Sequence, residues 1–475
     1  MSAKKTEVKA SGKKEKVFPH ILVVLFVVIF VAMVATYIVP AGQYERIMDE
    51  ATGKMVIDPN SFKYIPRTPV GVFETFVSIE EGLIEAANIT FLIFCAFSSL
   101  YLLDKTGALD ASISRMVTVT QEKPQYRTFL LVVLMAILSI WASTGTMSYE
   151  EIIAFIPVFI ALSYAFGYDA LVALGISVVP VGVGFASATV NPFSIGVAQT
   201  IAELPIFSGI KYRIVILIVM TTFTIIYVLR YAAKIKSNPD LSLVKDLDYS
   251  DMTIDDERMN TPFTTARKLS ILALFVAIAF MAFGLIKLGW YINEVAAIFM
   301  ILSIVVGLLN RWKANRIAEV LVEGLSKAVL SAIVVGVARG ILVVISKGNI
   351  LDTIIHGATS LLQKLSLYGS AVGMLIFQTI LNFLIPSGSG QAAVSMPIMT
   401  PIADIIGLSR QTAVLAFQFG DGFSNLLWPT GFMLLACTLA RVPLNRYYKF
   451  MTGWFVISFI LQIIFMVIAV NIGYA

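Results

Sequence analysis

The stretch Asn382-Phe383-Leu384-Ile385-Pro386-Ser387-Gly388-Ser389-Gly390-Gln391 decides how this chain is read. Before it lies an apolar arm, 370–385, and after it a second arm, 392–406, with the small-residue tip Ser387-Gly388-Ser389-Gly390 between them. An arm of about 15 residues makes roughly 22 Å of helix, short of the roughly 30 Å hydrocarbon core of a bilayer. Length therefore favours a re-entrant hairpin over 370–406 rather than two tilted full spans joined by a tight turn. The next segment, 411–440, is interrupted by Gly420, Gly422, Ser424, Asn425 and Pro429 and predicts a discontinuous helix. Backbone groups cannot stay unpaired in lipid, so a broken helix persists only where protein, water or a ligand satisfies it.

The same grammar stands earlier in the chain. An arm at 128–142 meets Ser143-Thr144-Gly145-Thr146, a second arm follows at 152–166, and 170–205 is interrupted by Gly182, Gly184, Ser187, Asn191 and Pro192. These predict a first hairpin over 128–166 and a first broken helix over 170–205. Glu81-Gly82-Leu83 returns as Glu323-Gly324-Leu325, and Lys105-Thr106-Gly107-Ala108-Leu109-Asp110 resembles Lys347-Gly348-Asn349-Ile350-Leu351-Asp352. Pro157 precedes Gly167 as Pro397 precedes Gly407, and Gly182-Val183-Gly184-Phe185 matches Gly420-Asp421-Gly422-Phe423. Four matches in one order predict a tandem repeat, 18–233 and 291–475. A polar cytoplasmic linker, 234–267, and a linking helix, 268–290, join the halves. Plain spans are expected at 21–39, 83–103, 212–232, 269–288, 294–309, 325–345 and 454–470. The first is read as a retained helix rather than a signal peptide, because it is long and lacks a small-residue cleavage pattern.

Composition agrees with this reading. Of 475 residues, 58% are apolar and 14% charged, and the mean hydropathy is +0.86. A soluble domain is nearer 25% charged, so an all-α integral membrane protein in a lipid bilayer is expected. The Lys-rich tail 1–17 is predicted to be disordered; it is an orientation signal rather than a nucleic-acid surface. Lys and Arg are denser in 1–20, 104–127, 311–316 and 441–449 than in 40–82, 204–213, 287–294 and 347–368. That places the N-terminus in the cytoplasm and the C-terminus outside, in a multi-pass inner-membrane protein. The hairpins then enter from opposite sides, and the repeats have inverted topology, an arrangement typical of secondary transporters. With two His and two Cys in apolar or loop surroundings, neither an enzyme, a metal centre nor a cofactor is expected.

Chemistry-bearing candidates lie at the tips and breaks. Ser148 to Glu151 has the spacing of a capping box, while Glu150, about 100° around the helix, is freer to meet a cation or carry a proton. Asp421 sits inside the second interruption and Arg339 within an apolar run; intramembrane ionisable residues are functional suspects. Arg339 is read either as the partner of Asp421 or a hairpin carboxylate, or as a clamp on a substrate carboxylate.

The segments 142–151, 185–193 (Phe185-Ala186-Ser187-Ala188-Thr189-Val190-Asn191-Pro192-Phe193) and 382–391 through Asp421-Gly422-Phe423-Ser424-Asn425 resemble the YfcC group of the C4-dicarboxylate anaerobic carrier (DcuC-like) family. That family belongs to the ion transporter superfamily. The resemblance, from about residue 18 onward, implies inverted repeats, a homodimer and an elevator-type motion. It also implies that tips and breaks hold substrate carboxylates and a coupling ion. By position it points to Ser143, Thr144, Thr146, Ser187, Thr189 and Asn191 in the first half, and to Ser387, Ser389, Ser424, Asn425 and Thr430 in the second. Thr146, Ser187, Thr189, Glu151 and Ser424 are taken as the coupling-ion set and the others, with Glu150, Arg339 and Asp421, as the substrate set. Neither half holds an intact Ser-Asn-Thr triplet, so the coupling ion stands open between Na⁺ and H⁺. Three acids near the midplane against one Arg favour a zwitterionic or basic amino acid such as arginine or ornithine over a C4-dicarboxylate or short-chain carboxylate, since like charges repel strongly in low dielectric.

Overall fold

The computed structural model of the chain describes residues 21–49, 54–58, 61–122, 125–145, 147–249, 261–284, 288, 290 and 292–474. The tail at 1–17 and the acidic centre of the linker, 250–260, lie outside them. The first half runs through α1 (Ile21–Ile38), α2 (Val72–Glu85), α3 (Ala87–Lys105), α4 (Ala108–Glu122) and α5 (Gln125–Ser143). After the first tip come α6 (Tyr149–Ala154) and α7 (Ile156–Ala165), then α8 (Ala170–Ile176) and α9 (Val178–Ala186). A π-helical turn (Pro192–Gly196) follows, then α10 (Val197–Ile201) and the long α11 (Ile210–Ser237). The second half has α12 (Thr265–Phe283), α13 (Ile292–Leu309), α14 (Ala314–Lys347), α15 (Leu351–Leu362), α16 (Leu367–Leu384), α17 (Gly388–Ile406), α18 (Arg410–Ser424), α19 (Phe432–Leu439) and α20 (Leu444–Asn471).

Seven of these helices, α3, α5, α11, α13, α14, α16 and α20, are long and apolar enough to cross a membrane. Large apolar side chains on their outer faces, among them Ile218, Ile304 and Val456, are exposed, as a lipid-facing surface requires. The chain is thus an all-helical membrane protein apart from two small antiparallel ribbons. Gly42–Gln43 pairs with Lys63–Tyr64, and Arg46–Asp49 with Lys54–Ile57.

The structure corrects the sequence reading in three places. The first arms of the two hairpins are 19 and 18 residues long, because helix continues past the apolar runs through Gln125, Tyr126 and Arg127 and through Leu367, Tyr368 and Gly369. At 1.5 Å per residue these arms reach about 27–28 Å, so shortness no longer separates a hairpin from full spans. The second tip is not all loop: Ser387 caps α17, its side chain accepting from the Gly390 N–H, and Gly388-Ser389-Gly390 form the first helical turn. The span expected at 83–103 is two helices, parted at Ala86.

Packing separates two apolar clusters. One gathers α3, α12, α13 and the start of α14 around Leu92, Leu102, Phe299, Val306 and Val320. The larger one joins both tip-bearing helix pairs, both broken helices, α11, α20, α1 and the second half of α14 around Tyr149, Phe417 and Trp454. α5 packs on α9 and α16 packs on α18, and α9 and α18 are in contact.

Candidate functional site

Both tips and both helix breaks meet at one cavity of about 260 Å³. The first half contributes Gly145, Ser148, Tyr149, Glu151, Asn191 and Phe193 to its wall. The second contributes Ser387, Gly388, Ser389, Asn425 and Thr430, and Glu85 and Arg339 close it from α2 and α14.

Local sequence explains each wall. Glu151 completes the capping box: its Oε2 accepts from the Ser148 backbone N–H at 2.7 Å and the Ser148 hydroxyl at 2.5 Å. Asn191 accepts from the Phe193 N–H at 2.9 Å and thereby starts the π-helical turn. Thr430 donates to the Phe383 carbonyl at 2.8 Å, tying the second break to the arm that leads into its tip. Tyr149 spans the halves; its hydroxyl donates to the Gly422 carbonyl at 3.2 Å and its ring stacks on Phe432.

Among the described residues Arg339 is the one cation on the cavity wall, and its Nε donates to Glu85 Oε2 at 2.9 Å. The sequence reading left Arg339 open between an ion pair with Asp421 or a hairpin carboxylate and a clamp on a substrate carboxylate. The structure gives it Glu85 instead, which α2 delivers from its last residue. Glu85 and Glu151 against Arg339 leave an excess of acid on the described wall.

Carbonyls freed by the first break do not face the cavity. Arg213, 1% exposed, donates from Nε to Ala188 O at 2.9 Å and from Nη2 to Thr189 O at 3.1 Å. Its other N–H groups go to Ser208 O, Phe207 O and the Tyr474 hydroxyl. All five guanidinium donors are used, and none reaches a carboxylate. Thr189 and Ser143 hold the first tip against this break: their hydroxyls are 3.1 Å apart and the Thr189 N–H donates to Ser143 O at 2.8 Å. Both are buried and neither lines the cavity.

Beneath the second tip lies an amide network. Asn382 donates to Asp421 Oδ1 at 3.0 Å and to Gln391 at 3.2 Å, and it accepts from Ser424 at 2.8 Å. Gln391 donates to Gln378, which donates to Ser395. Asp421, 0% exposed, is under the cavity floor rather than on it.

The sequence candidates therefore divide. Glu151, Asn191, Arg339, Ser387, Ser389, Asn425 and Thr430 share the cavity wall. Ser143, Ser187, Thr189, Asp421 and Ser424 are buried behind it. Thr144 turns its hydroxyl back to the Trp141 carbonyl. Thr146 and the Glu150 side chain lie outside the described residues. Glu85, Arg213, Asn382 and Gln391 were not read from the sequence; for the two amides the available signal was polar side chains inside apolar arms.

The family described as C4-dicarboxylate anaerobic carrier matches residues 18–471. An Escherichia coli K12 relative, named "Putative basic amino acid antiporter YfcC", is 29% identical over 496 residues, covering 96% of this chain and 97% of its own. An uncharacterized protein of Haemophilus influenzae is 27% identical, covering 93% and 95%. The solved structure of Neisseria gonorrhoeae MtrF, described as illuminating a class of antimetabolite efflux pumps, covers 96% of each chain at TM-score 0.45 and 15% identity.

Proposed function

The chain belongs to the C4-dicarboxylate anaerobic carrier family, and from that premise we propose a secondary active transporter or antiporter of small amino acids, basic ones such as arginine and ornithine favoured, working by alternating access. One observation carries the reading: both tips, both helix breaks and the Glu85–Arg339 pair line a single cavity. A carrier of a small charged solute needs such a pocket, in which polar groups from discontinuous elements replace water around the ligand.

The wall favours an amino acid. A substrate carboxylate has the Arg339 guanidinium and the start of α17 to meet, where N–H groups and the helix dipole attract anions. An ammonium or guanidinium has Glu85. A dianion adds negative charge to a wall already acidic. The name of the E. coli relative supports the same choice. The family description and Arg339 support a second reading, Na⁺- or H⁺-coupled C4-dicarboxylate transport.

For the motion, we read the helices at 21–39, 83–103, 294–309 and 325–345 as a static scaffold in a homodimer and the tip-bearing body as an elevator that carries the site across. The halves are read as inverted repeats in a bacterial inner membrane with the N-terminus cytoplasmic. Support comes from the cavity's place, with Val295 of α13 and Val334, Ala338 and Arg339 of α14 on one side and the tips and breaks on the other.

Counterflow in proteoliposomes tests the substrate. Vesicles loaded with unlabelled arginine should accumulate labelled arginine and ornithine, saturably, and succinate should neither enter nor compete. Robust succinate counterflow without arginine counterflow would retire the amino-acid reading in favour of the dicarboxylate one. Current without saturation would point to a pore.

A further inference from the structure

Helix α18 carries Gln418 and Asp421, and its C-cap Asn425 follows at the i+7 position, the spacing of one helix face. Each presents a buried oxygen with no hydrogen-bond partner among the described residues: Gln418 Oε1, Asp421 Oδ2 and Asn425 Oδ1. The amide nitrogens fix these orientations. Gln418 Nε2 donates to Phe185 O at 2.7 Å and Asn425 Nδ2 to Asp421 O at 2.9 Å, so the oxygens are left facing away as acceptors. The first break adds two buried hydroxyls, Ser187 and Ser194, also without partners. The second tip closes over the group. A Cβ placed on Gly388 would stand 3.2 Å from Asp421 Oδ2 and 3.3 Å from Ser194 Cβ.

Acceptors gathered on one buried face, one of them a carboxylate oxygen, call for positive charge. An ionised carboxylate taken out of water with a single hydrogen bond costs several kcal/mol unless it is compensated. Among the described residues no cation compensates it. The titratable side chains on the elements packed against α18 are Tyr368, Asp404, Arg446, Tyr447, Tyr448 and Lys449. Tyr368 bonds Asn471, Asp404 pairs with Arg410, and Arg446 pairs with Asp246. Tyr447 and Tyr448 donate to the Leu426 and Leu427 carbonyls, and Lys449 is exposed. The nearby Tyr149 hydroxyl goes to Gly422 O, and Arg213 is spent on the first break.

We propose that Asp421 is a proton-binding site, loaded and emptied as the second tip lifts from it, and that this proton is the coupling ion of the transport cycle. Its place in a cycle rests on the carrier reading above; its chemistry rests on the cluster itself. One proton taken from water onto Oδ2 removes the buried charge and turns an acceptor into a donor. A Na⁺ ion asks more of the site. Oδ1 is already held by Asn382, and the Gly388 backbone lies close over Oδ2, where a hard cation needs about six oxygens. Gly388 and Asn425 also line the cavity, so a ligand there touches the same tip that covers Asp421.

Infrared spectroscopy of the full-length protein in lipid, in Na⁺-free potassium buffer, reads the site without a substrate. The wild type should show the carbonyl stretch of a protonated carboxylic acid, titrating away as pH rises. The band should be missing in Asp421→Asn and intact in Asp404→Asn. Absence of the band in the wild type, its survival in Asp421→Asn, or its discharge by Na⁺ at constant pH would each overturn the proposal. A flux arm separates this from the carrier reading. With arginine, ornithine and succinate as probes, an imposed pH gradient should drive net uptake in the wild type, and the response should be lost in Asp421→Asn. Counterflow that ignores the gradient counts against the proton site; no counterflow of any probe counts against the carrier reading and leaves the band to decide the site.

Discussion

Replacing Arg213 with methionine should destabilise the folded chain by roughly 3–5 kcal/mol, the usual result of removing one side of a buried charged network. Arg213→Lys should recover only part of this, because an ammonium has three donors without the planar fork. The guanidinium binds Ala188, Thr189, Phe207 and Ser208 carbonyls and the Tyr474 hydroxyl. Methionine would fill similar volume and take a donor from the buried Ala188 and Thr189 carbonyls, each an unpaired group costing about 1–3 kcal/mol before relaxation, and from the part-buried Phe207 carbonyl, while Ser208 O keeps Gln199 Nε2. Denaturant unfolding in detergent, followed by tryptophan fluorescence, measures the difference. A loss under about 1 kcal/mol would mean that these carbonyls find other donors and that Arg213 does not hold the first break open.

The second large effect is where the broken helices pack closely, α9 on α5 and α18 on α9. A Cβ on Gly184 would collide with the Ser139 carbonyl oxygen, and one on Gly422 with the Ala186 backbone. Backbone atoms do not step aside as flexible side chains do, so Gly184→Val or Gly422→Val should cost about 3 kcal/mol, at the upper end for overpacking. Gly357→Val is the control: nothing lies within 4 Å of its Cβ position. Thermal unfolding of the three variants in detergent checks the order. Equal stability of all three would contradict the close packing of α9 on α5 and of α18 on α9.

These glycines also show what could be read from sequence. Gly182-Val183-Gly184-Phe185 and Gly420-Asp421-Gly422-Phe423 match because each motif lets its helix lie against a tip arm. Gly184 meets α5 at Ser139, and Gly420 meets α16 at Gln378. Gly422 then seats α18 on α9. Such contacts need no Cβ, and a composition pattern records them directly. Arg213 was illegible for the opposite reason. It stands at the edge of an apolar span and looks like a loop cation, and its partners range from five residues away to Tyr474 near the far end of the chain. Glu85 was hidden because the run 83–103 is apolar on both sides of a break at Ala86 that no Gly or Pro marks. Arm lengths were underestimated because helix ends are set by caps and packing, and apolar runs report only the stretch that meets lipid or core.

The central claim is that the two tips and two breaks form one substrate site. In a background with Cys95 and Cys437 replaced by alanine, cysteines introduced as Ser389→Cys and Phe193→Cys report from opposite halves on the same cavity. Their alkylation rates should fall together when the transported substrate is added, at the concentration that half-saturates counterflow, and a non-transported solute should change neither. A substrate that saturates counterflow and leaves both rates unchanged would contradict the account.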